Sequence, residues 1–121
     1  MQHYAIIGFG CAGYHAAQAI RTIDKEGCID VYSNHSEAPY NPMLTTYHAG
    51  KKIDRNTMFP FGTIEKISAE LNINFYGNTG IKLFDPSKKE ITTDLGTKAY
   101  DKVLVASGAS AFAIPIEGAD K

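Results

Sequence analysis

Three glycines between an apolar run and a helical pattern constrain this chain more than any other feature. The run Tyr4-Ala5-Ile6-Ile7 precedes Gly8, Gly10 and Gly13, and small apolar residues then recur at helical spacing. In a strand-turn-helix unit such glycines let the chain reverse, let the backbone approach a diphosphate, and let helix and strand pack closely. The first N–H groups of the helix face the same point. The candidate diphosphate contacts are Gly8, Gly10, Cys11, Ala12 and Gly13.

A second strand is expected soon after this helix. The apolar face of the helix is predicted from a period near 3.6 at Ala12, Ala16, Ala19, Ile20 and Ile23. Lys25 falls in the predicted last turn, and Gly27 is expected to supply a left-handed cap. The run 28–33 then predicts a strand parallel to the first, as in the nucleotide-binding half of a doubly wound sheet.

The end of that second strand lacks the acid that usually accepts hydrogen bonds from a ribose. Asn34 and His35 occupy the corresponding positions, whereas Asp30 lies too early in the strand and Glu37 lies beyond it. Replacing a charged acceptor with a neutral one forfeits on the order of 1 kcal/mol. Asn34 and His35 are therefore candidate ribose contacts, and we expect them to weaken dinucleotide binding several-fold.

The remaining chain predicts a long loop, a helix and short strands. Residues 35–55 form the loop, with a helical turn around 43–47. Ile64, Ile67 and Leu71 mark a helix, residues 74–76 a third strand, and segments 81–84, 90–93 and 98–105 a small antiparallel meander. The apolar run 103–106 predicts a strand buried on both faces, followed by a small-residue turn at Ser107-Gly108-Ala109 that allows close approach of a ligand.

Composition excludes several classes of function. The 121 residues fit one domain, and the formal net charge of −1 argues against nucleic acid or an anionic membrane as partner. No apolar run reaches about 18 residues, and Met1 leads almost directly into the first strand, so neither a transmembrane helix nor a signal peptide is expected. Cys11 and Cys28 form no CxxC pair, and neither they nor the histidines have metal-ligand spacing. Free thiols, a cytoplasmic setting and no metal are therefore expected.

Four segments in register carry a family resemblance. They are the glycine turn 4–13, the Pro-Tyr loop 38–44, the strand region 100–108 and the closing segment 114–118. Together they resemble the N-terminal FAD-binding region of the pyridine-nucleotide-disulfide oxidoreductase superfamily, nearest the branch of NADH oxidases, rubredoxin reductases and the flavin domain of nitrite reductase. The implied fold class is α/β, a Rossmann-like parallel sheet with a small antiparallel β-meander.

The resemblance implies FAD as the cofactor. In that family the pyrophosphate lies at the glycine turn, the loop carrying Pro42 lies beside the flavin, and the segment of Ile81 meets the adenine. The segment matching Ala106, Ser107 and Gly108 approaches FAD through its backbone. NAD(P)H is bound by a second domain, and a later Gly-Asp segment returns to FAD. Residues 1–121 are therefore expected to be a partial FAD/NAD(P)-binding domain, the N-terminal fragment of a larger oxidoreductase, inactive alone.

The chain departs from the family pattern where a reactive cysteine would stand. Members that reduce disulfides or peroxide carry a thiol near the positions of Asn41 to Met43, and no cysteine is present there. In many relatives positively charged side chains lie beside the flavin at about the positions that Asn41 and Thr46 occupy here. Direct flavin-mediated electron transfer is expected, with no catalytic side chain assigned. His48 is a further candidate for a flavin contact, because it lies in the loop that faces the flavin in relatives.

Two functions remain open on sequence alone. The first is the FAD portion of an NAD(P)H-dependent flavin oxidoreductase that passes electrons from nicotinamide through FAD to an unknown acceptor. The alternative is a non-catalytic Rossmann domain that senses NAD, which the glycine turn would suit equally well. The meander and the small-residue turn favour the first. The sequence leaves the acceptor, the choice of NADH or NADPH, and a homo-oligomeric state open.

Overall fold

The computed structural model describes all residues, 1–121. The strands are β1 His3–Ile7, β2 Cys28–Tyr32, β3 Ile73–Tyr76, β4 Leu83–Asp85, β5 Glu90–Thr93, β6 Gly96–Ala99 and β7 Lys102–Val105. The helices are α1 Cys11–Ile23, α2 Thr45–Ala49 and α3 Ile64–Leu71, with 3-10 turns at Pro42–Leu44 and Arg55–Met58. None of these helices has the length and apolarity needed to cross a membrane.

The strands form two separate sheets. The larger has the order β3-β2-β1-β7, and every neighbouring pair is parallel; His3 of β1 pairs with Cys28 of β2, and Tyr4 with Lys102 of β7. The smaller sheet is an antiparallel meander in the order β4-β5-β6. The predicted fold class is therefore confirmed, including the parallel opening strands on which the nucleotide-binding interpretation depends.

Alternating side chains of the parallel sheet pack into two apolar clusters. Ile29 and Val31 of β2 are fully buried with Ile6, Ala17 and Ile67 on the side of α1 and α3. Tyr32 lies in a second cluster with Ala5, Ile91 and Tyr100 on the meander side. Because neighbouring strand residues point to opposite faces, β2 supports helices on one face and the meander on the other.

A buried carboxylate joins the meander to the parallel sheet. Asp30 of β2 is 0% exposed, and its Oδ2 accepts hydrogen bonds from Lys98 Nζ at 2.5 Å and from Tyr100 Oη at 2.8 Å. Its Oδ1 accepts from Asn74 Nδ2 of β3 at 2.8 Å. Burial alone would raise the pKa of Asp30, but the hydrogen bonds from Lys98, Asn74 and Tyr100 hold it below its usual value. A charged acceptor with three donors is a satisfied buried group.

The end of α1 differs from the sequence prediction. The helix stops at Ile23, and Lys25 lies beyond it. Asp24 Oδ1 accepts the backbone N–H groups of Glu26 and Gly27, so an Asp turn ends the helix, and Gly27 does not have a positive φ. A Cβ at Gly27 would lie 2.7 Å from Tyr4 Cε2, so close packing against β1 explains this glycine.

The buried face of α1 matches the predicted one only in part, because Ala16 and Ile20 are partly buried against the main core but the other predicted residues are not. Gly13, Tyr14 and Ala17 are buried, whereas Ala12, Ala19 and Ile23 of the predicted face are exposed. Alanine is apolar enough to fit either face, so its spacing did not fix the helix rotation. The aromatic Tyr14 stacks on Phe61 at 3.9 Å between ring centroids and fixes that rotation instead.

Two strand predictions were wrong in detail. The segment predicted as one strand over 98–105 is divided at Tyr100-Asp101 between β6 and β7, which belong to different sheets. The predicted strand at 81–84 begins only at Leu83. The run 103–106 is not buried on both faces, because β7 forms the edge of the parallel sheet and leaves Leu104 41% and Val105 56% exposed.

The glycine turn touches the chain that leaves β7. Gly8 has a φ of +98°, and a Cβ there would overlap the carbonyl oxygen of Ala106 and lie 2.8 Å from its carbonyl carbon. The Ala106 N–H donates to Ile7 O at 2.8 Å, and the Gly8 N–H donates to Tyr32 O at 2.7 Å. A Cβ at Gly13 would overlap Gly8 O. Only glycine at these two positions permits β1, α1 and the chain after β7 to meet here.

Removing the buried carboxylate is expected to destabilise the fold. Asp30→Ala should lower the free energy of unfolding by about 3 kcal/mol, because it leaves the Tyr100 hydroxyl and the Asn74 amide without their buried acceptor. Urea denaturation measures this quantity. The matched control is Asp94→Ala, which removes the exposed partner of Lys82 and should change it by about 1 kcal/mol or less.

The stabilisation of the fold by the Asp30 carboxylate is expected to decline at low pH. Because the pKa of Asp30 is lowered by folding, its stabilisation is complete above the ordinary carboxyl pKa of about 4 and declines as the pH falls through the lowered value. The loss in free energy of unfolding caused by Asp30→Ala should therefore become smaller as the pH falls below the ordinary carboxyl pKa. A deficit that stays constant there, or one equal to that of Asp94→Ala at neutral pH, would contradict this role.

Gly8→Ala is expected to lower the free energy of unfolding by roughly 1–3 kcal/mol, because it combines a positive φ with a backbone overlap. Gly10→Ala is the control, since its φ of −85° suits any residue and a Cβ there has no neighbour within 4 Å. Thermal unfolding followed by circular dichroism compares the two variants. Equal melting temperatures would show that the contact with Ala106 does not constrain the turn.

Candidate functional site

A cleft of about 530 Å³ lies where β1, β2 and β7 end. In open α/β sheets the carboxyl ends of parallel strands are where ligands bind. The residues that line the cleft follow these strand ends or the turn after β3: Ile7, Gly8, Phe9, Gly10, Cys11, Tyr32, Ser33, Asn34, His35, Ala38, Tyr40, Pro42, Thr79, Ile81, Ala106, Ser107, Gly108, Ala109 and Ser110.

The structure brings most of the predicted site residues together. Those that line the cleft are Gly8, Gly10, Cys11, Asn34, His35, Pro42, Ile81, Ala106, Ser107 and Gly108. Ala12 and Gly13 do not line it. Ala12 is exposed on the first turn of α1, and Gly13 is buried behind the turn against Gly8. The N–H groups of the first helical turn, rather than the Ala12 side chain or Gly13, are what α1 offers to the cleft.

The cleft contains no side chain of Asp, Glu, Lys or Arg. Its electrostatic character therefore comes from backbone groups and from the N-terminus of α1. Gly10 is the N-cap residue, no side chain caps the helix, and the first turn contains no acid. The first N–H groups of a helix have no partner within it, and the helix dipole adds partial positive charge at the same end. This end of the cleft can therefore receive an anionic group without repulsion.

The ends of β2 and β3 form another wall of the cleft. The Thr79 N–H donates to Ser33 O at 2.8 Å, and the His35 N–H donates to Ser33 Oγ at 3.3 Å. The Glu37 N–H donates to His35 Nδ1 at 3.3 Å, which orients the ring. A Cβ at Gly80 would lie 3.2 Å from Asn34 Oδ1, so this glycine leaves room for the Asn34 side chain.

The Pro-Tyr loop closes the cleft on the remaining side. Asn41 Oδ1 accepts the Met43 N–H at 3.1 Å and caps the 3-10 turn that starts at Pro42. The Tyr40 ring packs edge-on against Phe59 at 6.1 Å between centroids. His48 does not line the cleft; its Nδ1 lies 3.2 Å from Ile53 O. The expected flavin contact of His48 therefore has no support from its position.

Several cleft residues were not among the sequence candidates. Ser33, Tyr40 and Thr79 each present a side chain of the polar or aromatic kind that recognises a nucleotide. Tyr40 lies within the recognised Pro-Tyr segment, and Thr79 lies in the Asn-Thr-Gly turn before Ile81. Tyr40 and Thr79 could therefore have been identified as candidates from the sequence. Ser33 is joined to Thr79 by the hydrogen bond that its carbonyl accepts, and this contact required the pairing of β2 with β3.

The two thiols have different surroundings. Cys11 is exposed at the start of α1 and lines the cleft. Cys28 is partly buried at the start of β2, where its Sγ lies 3.6 Å from Asp30 Oδ1 and accepts from Asn74 Nδ2 at 3.4 Å. Burial and the neighbouring Asp30 charge raise the pKa of the Cys28 thiol. Cys28 is therefore the less reactive thiol and lies outside the cleft lining.

Sequence relatives of this chain include reductases whose names specify rubredoxin and ferredoxin. The rubredoxin-NAD(+) reductase of Alcanivorax borkumensis is 28% identical over 120 residues, covering 98% of this chain and 31% of the reductase. The ferredoxin reductase subunit of 5,5'-dehydrodivanillate O-demethylase from a Sphingobium species is 32% identical, over 98% of this chain and 29% of the subunit. The chain thus spans less than a third of the length of these relatives.

The fold likeness extends over the whole chain. A water-forming NADH oxidase from Lactobacillus brevis, solved with NADH bound, superposes on 100% of this chain and 28% of its own, with a TM-score of 0.88 and 23% identity. The family model described as pyridine nucleotide-disulphide oxidoreductase matches residues 2–121. On this match, the chain belongs to the pyridine nucleotide-disulphide oxidoreductase family.

Proposed function

We propose that this chain is the FAD-binding portion of an NAD(P)H-dependent flavin oxidoreductase. In this proposal electrons pass from nicotinamide through FAD to an acceptor without a redox-active cysteine. The observation that carries it is the meeting of the glycine turn with Ala106, Ser107 and Gly108 at one cleft. FAD with its diphosphate at the glycine turn would also contact the chain after β7. A nucleotide site formed by the glycine turn alone would not need this second contact.

The cleft residues fit FAD in charge and shape. A diphosphate needs donors rather than acids, and the N-terminus of α1 supplies N–H groups in a cleft free of carboxylates. At Gly10 a Cβ would meet nothing within 4 Å, so the open space beside this backbone is available to a phosphate. Ile81 packs against the meander cluster and offers an apolar wall with adjacent main-chain groups for an adenine.

In this proposal different residues of the cleft contact different parts of FAD. The α1 N-terminus binds the diphosphate, Asn34 and His35 contact the ribose, and Pro42 with Tyr40 shields the opposite end from water. FAD, when bound, would accept a two-electron hydride from the nicotinamide and would pass the electrons on one at a time to a one-electron acceptor. The chain supplies position and electrostatics, and no side chain of the cleft is proposed as a catalytic acid, base or nucleophile.

The electron donor and acceptor are proposed from the relatives. The name of the Alcanivorax relative specifies NAD(+) and rubredoxin, and the name of the Sphingobium relative specifies ferredoxin. We infer a nicotinamide donor bound by a further domain, and a small electron-transfer protein as the acceptor class. The chain spans less than a third of these relatives. We propose that the residues which would contact either partner lie outside these 121 residues.

Protection of Cys11 is the direct test of the cofactor site. In a Cys28→Ser variant Cys11 is the single thiol, and its alkylation rate can be followed by mass spectrometry. FAD should slow alkylation several-fold, because the diphosphate would cover the start of α1 where Cys11 lies. Riboflavin, which lacks the diphosphate and the adenosine, should give no protection. Gly10→Ala should reduce the protection without changing the melting temperature.

The matched control is Cys11→Ser, whose remaining thiol, Cys28, lies outside the cleft lining and should react at a rate that FAD leaves unchanged. Protection of Cys11 by NAD but not by FAD would favour the nucleotide-sensing alternative. Equal alkylation rates with and without saturating FAD would refute the cofactor proposal.

We expect the 121-residue chain with added FAD to oxidise NADH no faster than free FAD does. The physical reason is that the proposed nicotinamide site lies elsewhere, so the donor is not positioned against the flavin. Absorbance of NADH measures the rate. A rate well above that of free FAD, and abolished by Gly8→Ala, would show that the chain alone holds both cofactors in reacting positions.

A further inference from the structure

We propose that Tyr100 is a positioning residue for the nucleotide in the cleft, and that it acts through the hydroxyl of Tyr32. Tyr100 directly follows β6 and does not line the cleft, whereas Tyr32, the last residue of β2, does. This inference rests on the proposed function and deepens it, because it names a residue outside the cleft that holds the nucleotide-binding surface in place.

Tyr32 joins the cleft to the glycine turn. Its carbonyl oxygen accepts the Gly8 N–H at 2.7 Å, so the end of β2 holds the turn that is proposed to bind the diphosphate. Its side chain is only 5% exposed and stacks on Tyr76 at 5.0 Å between ring centroids, with the two rings 16° from parallel. A displacement of Tyr32 would therefore change both the cleft lining and the backbone of the turn.

The hydrogen bonds that hold the Tyr32 hydroxyl have a defined direction. The Tyr100 hydroxyl donates to Asp30 Oδ2 at 2.8 Å. Burial acts to raise the pKa of Asp30, but the hydrogen bonds that it accepts hold this pKa below its usual value, so the carboxylate is ionised and can only accept. A hydroxyl has one proton, and that of Tyr100 is used at Asp30. Tyr32 Oη is therefore the donor to Tyr100 Oη across 2.5 Å.

Tyr100 is the single hydrogen-bond partner of the Tyr32 hydroxyl, and both hydroxyls are buried. Without the Tyr100 oxygen, the Tyr32 hydroxyl would be a buried donor with no acceptor, which is costly. Conformations in which the Tyr32 side chain reaches water through the cleft would then become populated. A nucleotide competes with such conformations, so its apparent affinity falls with the fraction of chains that keep the binding-competent arrangement.

The experiment measures nucleotide affinity in variants of the full chain. Adenosine 5'-diphosphate is the probe, because it carries the adenosine and the diphosphate of FAD without the flavin. Amide chemical shifts of residues 8–13 report its dissociation constant even where binding is weak. Tyr100→Phe should weaken binding by roughly threefold to fivefold, the equivalent of one hydrogen bond. Tyr32→Phe should weaken it less than Tyr100→Phe does, because it leaves no buried donor unpaired.

The double variant separates positioning from a general loss of stability. Tyr32→Phe added to Tyr100→Phe removes the unpaired donor, so it should restore most of the affinity that Tyr100→Phe loses. An effect that acted only through the stability of Asp30 would persist in the double variant. Asn74→Ala is the matched control, because it removes the donor to the other carboxylate oxygen of Asp30. It should lower the free energy of unfolding in urea and leave the affinity of the folded chain unchanged.

The outcomes distinguish this inference from the proposed cofactor. A double variant that binds the diphosphate as weakly as Tyr100→Phe, or an equal loss of affinity in Asn74→Ala, overturns the positioning role even if FAD protects Cys11. The expected pattern of affinities without any FAD protection of Cys11 would overturn the flavin proposal and retain the positioning role. Absence of shifts at residues 8–13 when the diphosphate is added to the unaltered chain overturns the inference.

Discussion

The contact between Gly8 and the backbone of Ala106 is the constraint on which the remaining structure depends. It joins the first and last strands of the parallel sheet at the point where α1 begins, and it leaves no space for a Cβ. Because the glycine turn after β1 and the chain after β7 are in direct contact, the cleft beside them is lined there by backbone groups and by small side chains. A ligand can thus approach main-chain N–H groups that larger residues would cover.

The polar link at Asp30 has an effect on the site although it lies outside the cleft. It attaches the meander to β2 and β3, and the connection from β3 to β4 carries Thr79 and Ile81 into the cleft wall. Ile81 also packs on the meander cluster formed around Tyr32 and Tyr100. The second sheet therefore determines how firmly one wall of the cleft is held, while the helices on the other face complete the main apolar core.

Much of this architecture follows from local sequence, and the failures have identifiable causes. The glycine spacing predicted the turn, and the β-rich segment 90–93 between turn residues predicted β5 correctly; in the structure Ile91 and Thr93 are buried while their neighbours are not. The run 103–106 was predicted as doubly buried because apolar content cannot distinguish a central strand from an edge strand. The cleft residues after β1, β2 and β7 were predictable from motifs. Ser33 was not, because its contact with Thr79 depends on which strands become neighbours.

The position of β7 at the sheet edge has a consequence for the physical behaviour of the chain. Its outer backbone N–H and C=O groups face away from β1, and Leu104 and Val105 lie exposed beside them. Such an edge is a template onto which another extended segment can add by main-chain pairing. Strand addition there would widen the sheet while leaving the Gly8 and Ala106 contact on the opposite side of β7 undisturbed.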